Sequence, residues 1–129
     1  MSIARRTFLA GATVSAAIGP AAAVAAPGMY GLIGKMTAKP GQRGALIAIL
    51  LDGVAGMPGC LSYVVAEDPA NTDLIWITEA WESKDAHQAS LSLPSVRAAI
   101  AKGRPLIAAM EAVAETVPLG GHGLVRTAS

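Results

Sequence analysis

The sequence predicts an α+β sandwich, an antiparallel sheet with helices on one of its faces, and three observations predict it. The stretch from Pro58 to Ser83, PGCLSYVVAEDPANTDLIWITEAWES, holds two runs rich in β-branched and aromatic residues, Cys60 to Glu67 and Leu74 to Trp81. Between them Asp68-Pro69-Ala70-Asn71 carries turn chemistry, so the stretch reads as a β-hairpin. Segments with apolar residues at helix spacing stand before and after this hairpin. The resulting order is strand, helix, strand, strand, helix, strand. That is the split βαβ arrangement of a ferredoxin-like βαββαβ sandwich.

The 129 residues divide into three expected parts: an export signal over 1–26, one folded domain over 27–119 and a flexible C-terminal tail over 120–129. Arg5-Arg6-Thr7-Phe8-Leu9 is a twin-arginine pair followed by apolar residues and an Ala/Gly/Val-rich run to Ala26, with small residues that suit cleavage after Ala25 or Ala26. This predicts an exported, periplasmic protein. A general secretory signal or an uncleaved anchor is the alternative, although Gly11, Gly19 and Pro20 interrupt the ~20 apolar residues that a permanent span requires. No later segment resembles a span, so the mature chain is expected to have none.

The remaining elements follow in order. Met29 to Thr37 is strand-like, and Lys39-Pro40-Gly41-Gln42 leads into a helix from about Gln42 to Val54, in which Ile47, Leu50, Leu51 and Val54 repeat at helix spacing. Leu46 and Ile49 make its other side apolar too, which predicts burial on more than one flank. Gly56 and Pro58-Gly59 end it. After the hairpin, Ser83 is a good N-cap for a helix opening Lys84-Asp85-Ala86-His87, with Asp85 in the first turn where the helix dipole favours a carboxylate. This helix reaches about Leu91. Pro94 interrupts it, a second piece runs from Ser95 to Gly103, and Arg104-Pro105-Leu106-Ile107 opens a short third turn. Glu111 to Val117 alternates Ala112, Ala114 and Thr116 against Val113, Glu115 and Val117, a last strand closed by Pro118. Gly120-Gly121-His122-Gly123-Leu124 is a free tail or an arm across a dimer.

Side-chain alternation gives the hairpin two distinct faces. Ile75, Ile77, Glu79 and Trp81 share one, and Leu74, Trp76, Thr78 and Ala80 share the other. Burying a large aromatic removes roughly 150–250 Å² from water, about 4–6 kcal/mol gross at ~25 cal/mol per Å². Both faces therefore call for cover. Helices supply it on one side, and a second copy of the sheet is the economical cover for the other, which predicts a homodimer.

Composition excludes several function classes. Of ten basic and nine acidic residues, two arginines lie in the export signal, so the rest of the chain is close to neutral. It has no electrostatic footprint for nucleic acid or an anionic membrane. Cys60 is the only cysteine, which rules out an intrachain disulfide and reads as a small buried hydrophobe. His87, His122 and Cys60 lack metal-site spacing, so no metal is expected. The glycines near Gly120 do not lead from a strand into a helix, and Ser90 and Ser92 have no nucleophile elbow.

The order of PG, a strand, a short Asp/Pro/Asn turn, and then I-T-E-A-W-E-S-K-D-A-H before a Pro-broken helix resembles the antibiotic biosynthesis monooxygenase domain, within the dimeric α/β-barrel superfamily. The resemblance spans about Met29 to Val117, and Glu79-Ala80-Trp81-Glu82-Ser83 is its most family-like element. It implies a homodimer with packed sheets and a small apolar pocket between each sheet and its helices. It also implies oxygenation of a quinol-like or other small hydroxyaromatic by molecular oxygen, with no cofactor, neither metal nor flavin. The protein then has to supply a dry pocket, a base and a means of orientation. His87, early in its helix, is the candidate base, because an imidazole titrates near neutrality; otherwise it is a partly exposed polar residue. Glu79, if its face looks toward the helices, is a carboxylate in an apolar pocket able to exchange protons, and otherwise is structural. Trp81 and Tyr63 either line an aromatic substrate or belong to the core. The haem-degrading branch expects an Asn on the first strand, which Met29 to Met36 lacks, and a later histidine where this chain reads Ala98-Ala99-Ile100. A different class, a non-catalytic small-ligand-binding or stress-related dimer using the same pocket, is the alternative function.

Overall fold

A computed structural model describes residues 28–124. The expected export signal and the last residues of the tail lie outside the described residues. Strand β1 (Tyr30–Ala38) leads to helix α1 (Arg43–Gly53), the hairpin β2 (Cys60–Glu67) and β3 (Leu74–Trp81), helices α2 (Lys84–Ser90) and α3 (Pro94–Gly103), a 3-10 turn (Arg104–Leu106) and strand β4 (Ile107–Thr116). The four strands lie in the order β2-β3-β1-β4, and every neighbouring pair is antiparallel. This is the ferredoxin-like α+β sandwich that the element order predicts.

Register carries the two-faced hairpin across the whole sheet. Leu32 pairs with Glu79, Gly34 with Ile77 and Met36 with Ile75 between β1 and β3, while Tyr63 pairs with Glu79 and Val65 with Ile77 between β2 and β3. Directly opposed residues share a face, so these side chains meet the helices together. The core forms there, from Met36, Ala38, Ile75 and Ile77 of the sheet and Leu46 of α1, the last only 1% exposed. Ile47 and Leu50 pack against that core from the same helix. Leu51, expected on a buried flank, is 54% exposed. Close approach of α1 and α3 explains a glycine in mid-layer: a Cβ on Gly53 would stand 2.5 Å from the Cβ of Ala99.

The hairpin turn is held from two directions. Oδ1 of Asp68 accepts the backbone N–H groups of Ala70 and Asn71, both at 2.8 Å, and Oδ2 accepts the indole N–H of Trp76 at 2.9 Å. From α1, Nη1 of Arg43 donates to the carbonyls of Asp68, Asn71 and Leu74 at 3.1, 2.8 and 3.3 Å. Its Nη2 lies 3.4 Å from the Glu67 carboxylate. One guanidinium therefore ties the helix layer to the far end of the sheet.

Two boundaries depart from the sequence reading. The break before the second piece stands, but Pro94 itself opens α3, one residue earlier than expected, because a residue without an N–H is well suited to the first helical turn. β4 begins at Ile107 instead of Glu111, since Ile107 and Met110 pair with Ala38 and Met36. The expected simple alternation in β4 also breaks. The register shifts between Ile33 and Gly34, whose partners are Ala114 and Ala112, so Val113 is skipped as a bulge. Ala112 and Ala114 consequently fall on opposite faces.

Candidate active site

Period-two spacing puts Glu79 and Trp81 on the helix-facing side at the last turn of β3. The chain then reverses at once. Glu82 donates its N–H to the carbonyl of Gly59 at 2.8 Å, and the Ser83 hydroxyl accepts the N–H of Ala86 at 3.0 Å, capping α2 as predicted. Gly59 sits at φ +80°, and a Cβ there would meet the Cβ of Ala86 at 2.6 Å. That tight seam brings the first turn of α2 back over the end of β3. His87 lands beside Glu79.

The indole N–H of Trp81 donates to Oε1 of Glu79 at 2.9 Å. Nε2 of His87 lies 3.8 Å from the same oxygen, with the two side chains only 15% and 11% exposed. The imidazole stands edge-on to Trp81 and tilted to Tyr30, both ring centroids 5.3 Å away. Its Nδ1 is buried with no hydrogen-bond partner. Ser90, which has no nucleophile elbow in the sequence, is buried and gives its hydroxyl to the His87 carbonyl at 2.6 Å. It is a helix contact and not an activated nucleophile.

Charge at this end is held on the neutral side. Burial pushes the Glu79 carboxyl above the usual glutamate range, against the opposing pull of the Trp81 N–H and His87. Burial likewise raises the Tyr63 phenol, with Glu79 across the strand pair adding to it. Tyr30 is pushed up to about 12, first by its hydrogen bond to Glu115, then by burial and the carboxylates of Glu115 and Glu79. That bond, from the Tyr30 hydroxyl to Oε2 of Glu115, is 2.7 Å long. Cys60, across from Trp81, is raised by burial.

Between sheet and helices lies an open cavity of about 550 Å³. Leu32, Met36, Leu46, Leu50, Ile77 and Ile100 make its walls apolar, while Tyr63, Glu79 and His87 form a polar end. Three of the residues singled out in the sequence thus share one cavity. Trp81 does not line it: the ring is 1% exposed and its polar edge is spent on Glu79. Tyr30, not singled out, packs on His87 from the first strand, where its pairing with Trp81 brings it. Only the strand register carries that signal. Among the described residues no three His, Cys, Asp or Glu side chains come together in a way that would hold a metal ion. Among them, too, no helix is long and apolar enough to cross a membrane.

Comparison with known proteins agrees with this architecture. A family model described as antibiotic biosynthesis monooxygenase matches residues 29–102. A crystal structure from Chloroflexus aurantiacus J-10-fl, provisionally named an antibiotic biosynthesis monooxygenase, is 69% identical, with 75% of this chain and 99% of that chain covered and a TM-score of 0.73. Similarly named structures from Caulobacter crescentus CB15 and Nitrosomonas europaea share the fold. The first is 22% identical, covering 73% of this chain and 92% of that one at a TM-score of 0.64. The second is 13% identical, covering 73% and 93% at 0.67. No protein of curated function matches the chain. A family match over more than half the chain, together with a relative of such identity, leads to one conclusion: the chain belongs to the antibiotic biosynthesis monooxygenase family.

Proposed function

We propose that this protein is a cofactor-independent monooxygenase that oxygenates a quinol-like or other small hydroxyaromatic in the cavity between sheet and helices. One observation carries the reading: a largely buried carboxyl–imidazole pair, Glu79 and His87, lines a predominantly apolar cavity. About 550 Å³ is within the usual range for small-molecule sites. The apolar walls suit the ring, and the pair suits the hydroxyl. Deprotonation there makes the ring electron-rich enough to reduce dioxygen by one electron. Recombination of the radical pair and loss of water then give a quinone, one dioxygen placing one new oxygen on the ring, as a carbonyl from a phenol or a hydroxyl from a quinol, and releasing one water. The substrate supplies every electron. Kinship with proteins named as monooxygenases supports the reaction class.

The same reading includes a homodimer. Its support is the outer sheet face, where Trp76 and the 50% exposed Val64 stand on the side that no helix among the described residues covers. Twin-arginine export to the periplasm is supported by Arg5-Arg6 and the apolar, small-residue run that follows to Ala26.

Dioxygen uptake by the purified mature protein, given a panel of hydroquinones without added metal or flavin, tests the function. Wild type should turn over at least one compound, with Glu79→Gln slower by about 10²–10⁴, the usual contribution of general acid–base catalysis, and His87→Ala also impaired. Uptake indifferent to both changes removes the assigned roles. No uptake across the panel favours a binding protein.

A further inference from the structure

Resting on that oxygenase reading, we infer a division of labour at the polar end of the cavity: Oε2 of Glu79 takes the substrate proton, and Trp81 is the positioning residue that aims it. The carboxylate has two oxygens in unlike settings. Oε1 accepts the Trp81 indole N–H at 2.9 Å and faces His87 Nε2 at 3.8 Å. Oε2 has no partner among the described residues, and Glu79 lines the cavity. The engaged oxygen fixes where the free one points.

Trp81 suits this task for physical reasons. Its indole is a donor only and never competes for the proton. At 1% exposure the ring has no room to turn and no water to replace Glu79. His87 is a second holder and not the acceptor. Nδ1 is sealed without a partner, and Nε2 looks at a carboxylate oxygen, so the tautomer its surroundings favour carries the proton on Nε2. The lone pair left over is then on the sealed nitrogen, where no substrate reaches.

The proton inventory balances. The aryl O–H bond breaks, the proton bonds to Oε2, and the electron pair stays on the aryl oxygen for dioxygen to oxidise. The same proton leaves with the hydroxide expelled as water. Groups facing Glu79 from the packed elements are His87 on α2, Tyr63 and Cys60 on β2, and Tyr30 on β1. The phenols and the thiol are all held on the neutral side.

Two measurements test the assignment. In unmodified protein the chain has two tryptophans, so two indole N–H resonances followed by NMR against pH report separately. That of Trp81 should move with Glu79, with a midpoint above the ordinary glutamate range, and that of Trp76 with Asp68, below the ordinary aspartate range. An indole signal of Trp81 that ignores pH, or moves unchanged in Glu79→Gln, overturns the coupling. The second probe is para-nitrophenol, a coloured hydroxyaromatic. Bound to wild type it should show the phenolate band, lost in Glu79→Gln, persisting though weaker in His87→Gln, and reduced roughly ten- to a hundredfold in Trp81→Phe, the scale of a misaimed reacting group. In Trp81→Phe the band's onset should also move to higher pH, because the lost N–H favoured the ionised carboxylate. A band that follows His87 instead, or no Glu79-dependent band at any pH, overturns the inference. A normal band without dioxygen uptake sinks the oxygenase reading and leaves this one standing. Uptake whose pH profile ignores both Glu79→Gln and Trp81→Phe does the reverse.

Discussion

Trp76 and Trp81 occupy the same strand at an odd spacing, so they stand on opposite faces of the sheet, and each gives its indole N–H to a carboxylate at 2.9 Å. The two partners are tuned in opposite directions. Asp68, in the exposed turn, is lowered by the Trp76 N–H and by the backbone N–H groups of Asn71 and Ala70. Glu79, behind the helices, is raised by burial despite the equivalent bond. One strand therefore carries a structural latch outside and a carboxyl of raised pKa inside.

The outer indole gives the first prediction. Trp76→Lys places a second cation close to Lys35, whose Nζ already lies 5.5 Å from the Trp76 ring centroid. For the homodimer proposed above, light scattering should then report the monomer mass, or a dimer weakened by roughly tenfold or more, as expected when a fully desolvated aromatic anchor is lost. An unchanged dimer would mean that the contact between copies lies elsewhere.

Glu79 makes stability depend on pH in a defined direction. Its folded pKa lies above its unfolded one, so its stabilising contribution is complete below the unfolded value and disappears as pH rises through the folded value. At neutral pH Glu79→Gln should raise Tm. The gain should shrink to nothing on acidification to about pH 4, near the ordinary glutamate value. Thermal unfolding of both proteins across that window decides it, and a gain that persists in acid would contradict burial as the cause. Asp68 has the opposite sign, its contribution present above its unfolded pKa and lost as pH falls through the lowered one.

Arg43 should resist conservative replacement. Arg43→Lys keeps the charge but cannot reach three carbonyls from one nitrogen while also facing Glu67. Denaturant unfolding should show a loss of about 1.5–3 kcal/mol, the scale of hydrogen bonds to a charged donor. A loss confined to a few tenths would mean that the turn holds itself.

Gly53→Ala drives a Cβ to 2.5 Å from that of Ala99, and overpacking of this kind costs about 1–3 kcal/mol. Adding Ala99→Gly should recover stability except for the ~1 kcal/mol that a mid-helix glycine costs. Equilibrium unfolding of the two singles and the double measures the coupling. Simple additivity would show that the helices part without strain.

What was legible in the sequence was what is local. The hairpin, the Ser83 cap and the alternation of Trp76 and Trp81 depend on near neighbours in the chain, and each stands where the residues put it. The meeting of Glu79 and His87 was half legible: strand phase gave the face of Glu79, while the nearness of His87 depends on a reversal made possible by Gly59 and Ala86. Tyr30 and the skipped Val113 were not legible at all. They follow from register between strands far apart in sequence, which no single run of residues encodes.

The irregularity in β4 gives that strand one residue more than its pairing requires. Removing Val113 would erase the kink and leave the pairs around it in place, Ala112 with Gly34, Ala114 with Ile33 and Glu115 with Leu32. Opposed residues share a face, so the Glu115 carboxylate would stay beside Tyr30, and the shield over His87 would keep its clasp. A one-codon deletion there is thus a smaller change to the chemistry than most substitutions within the walls.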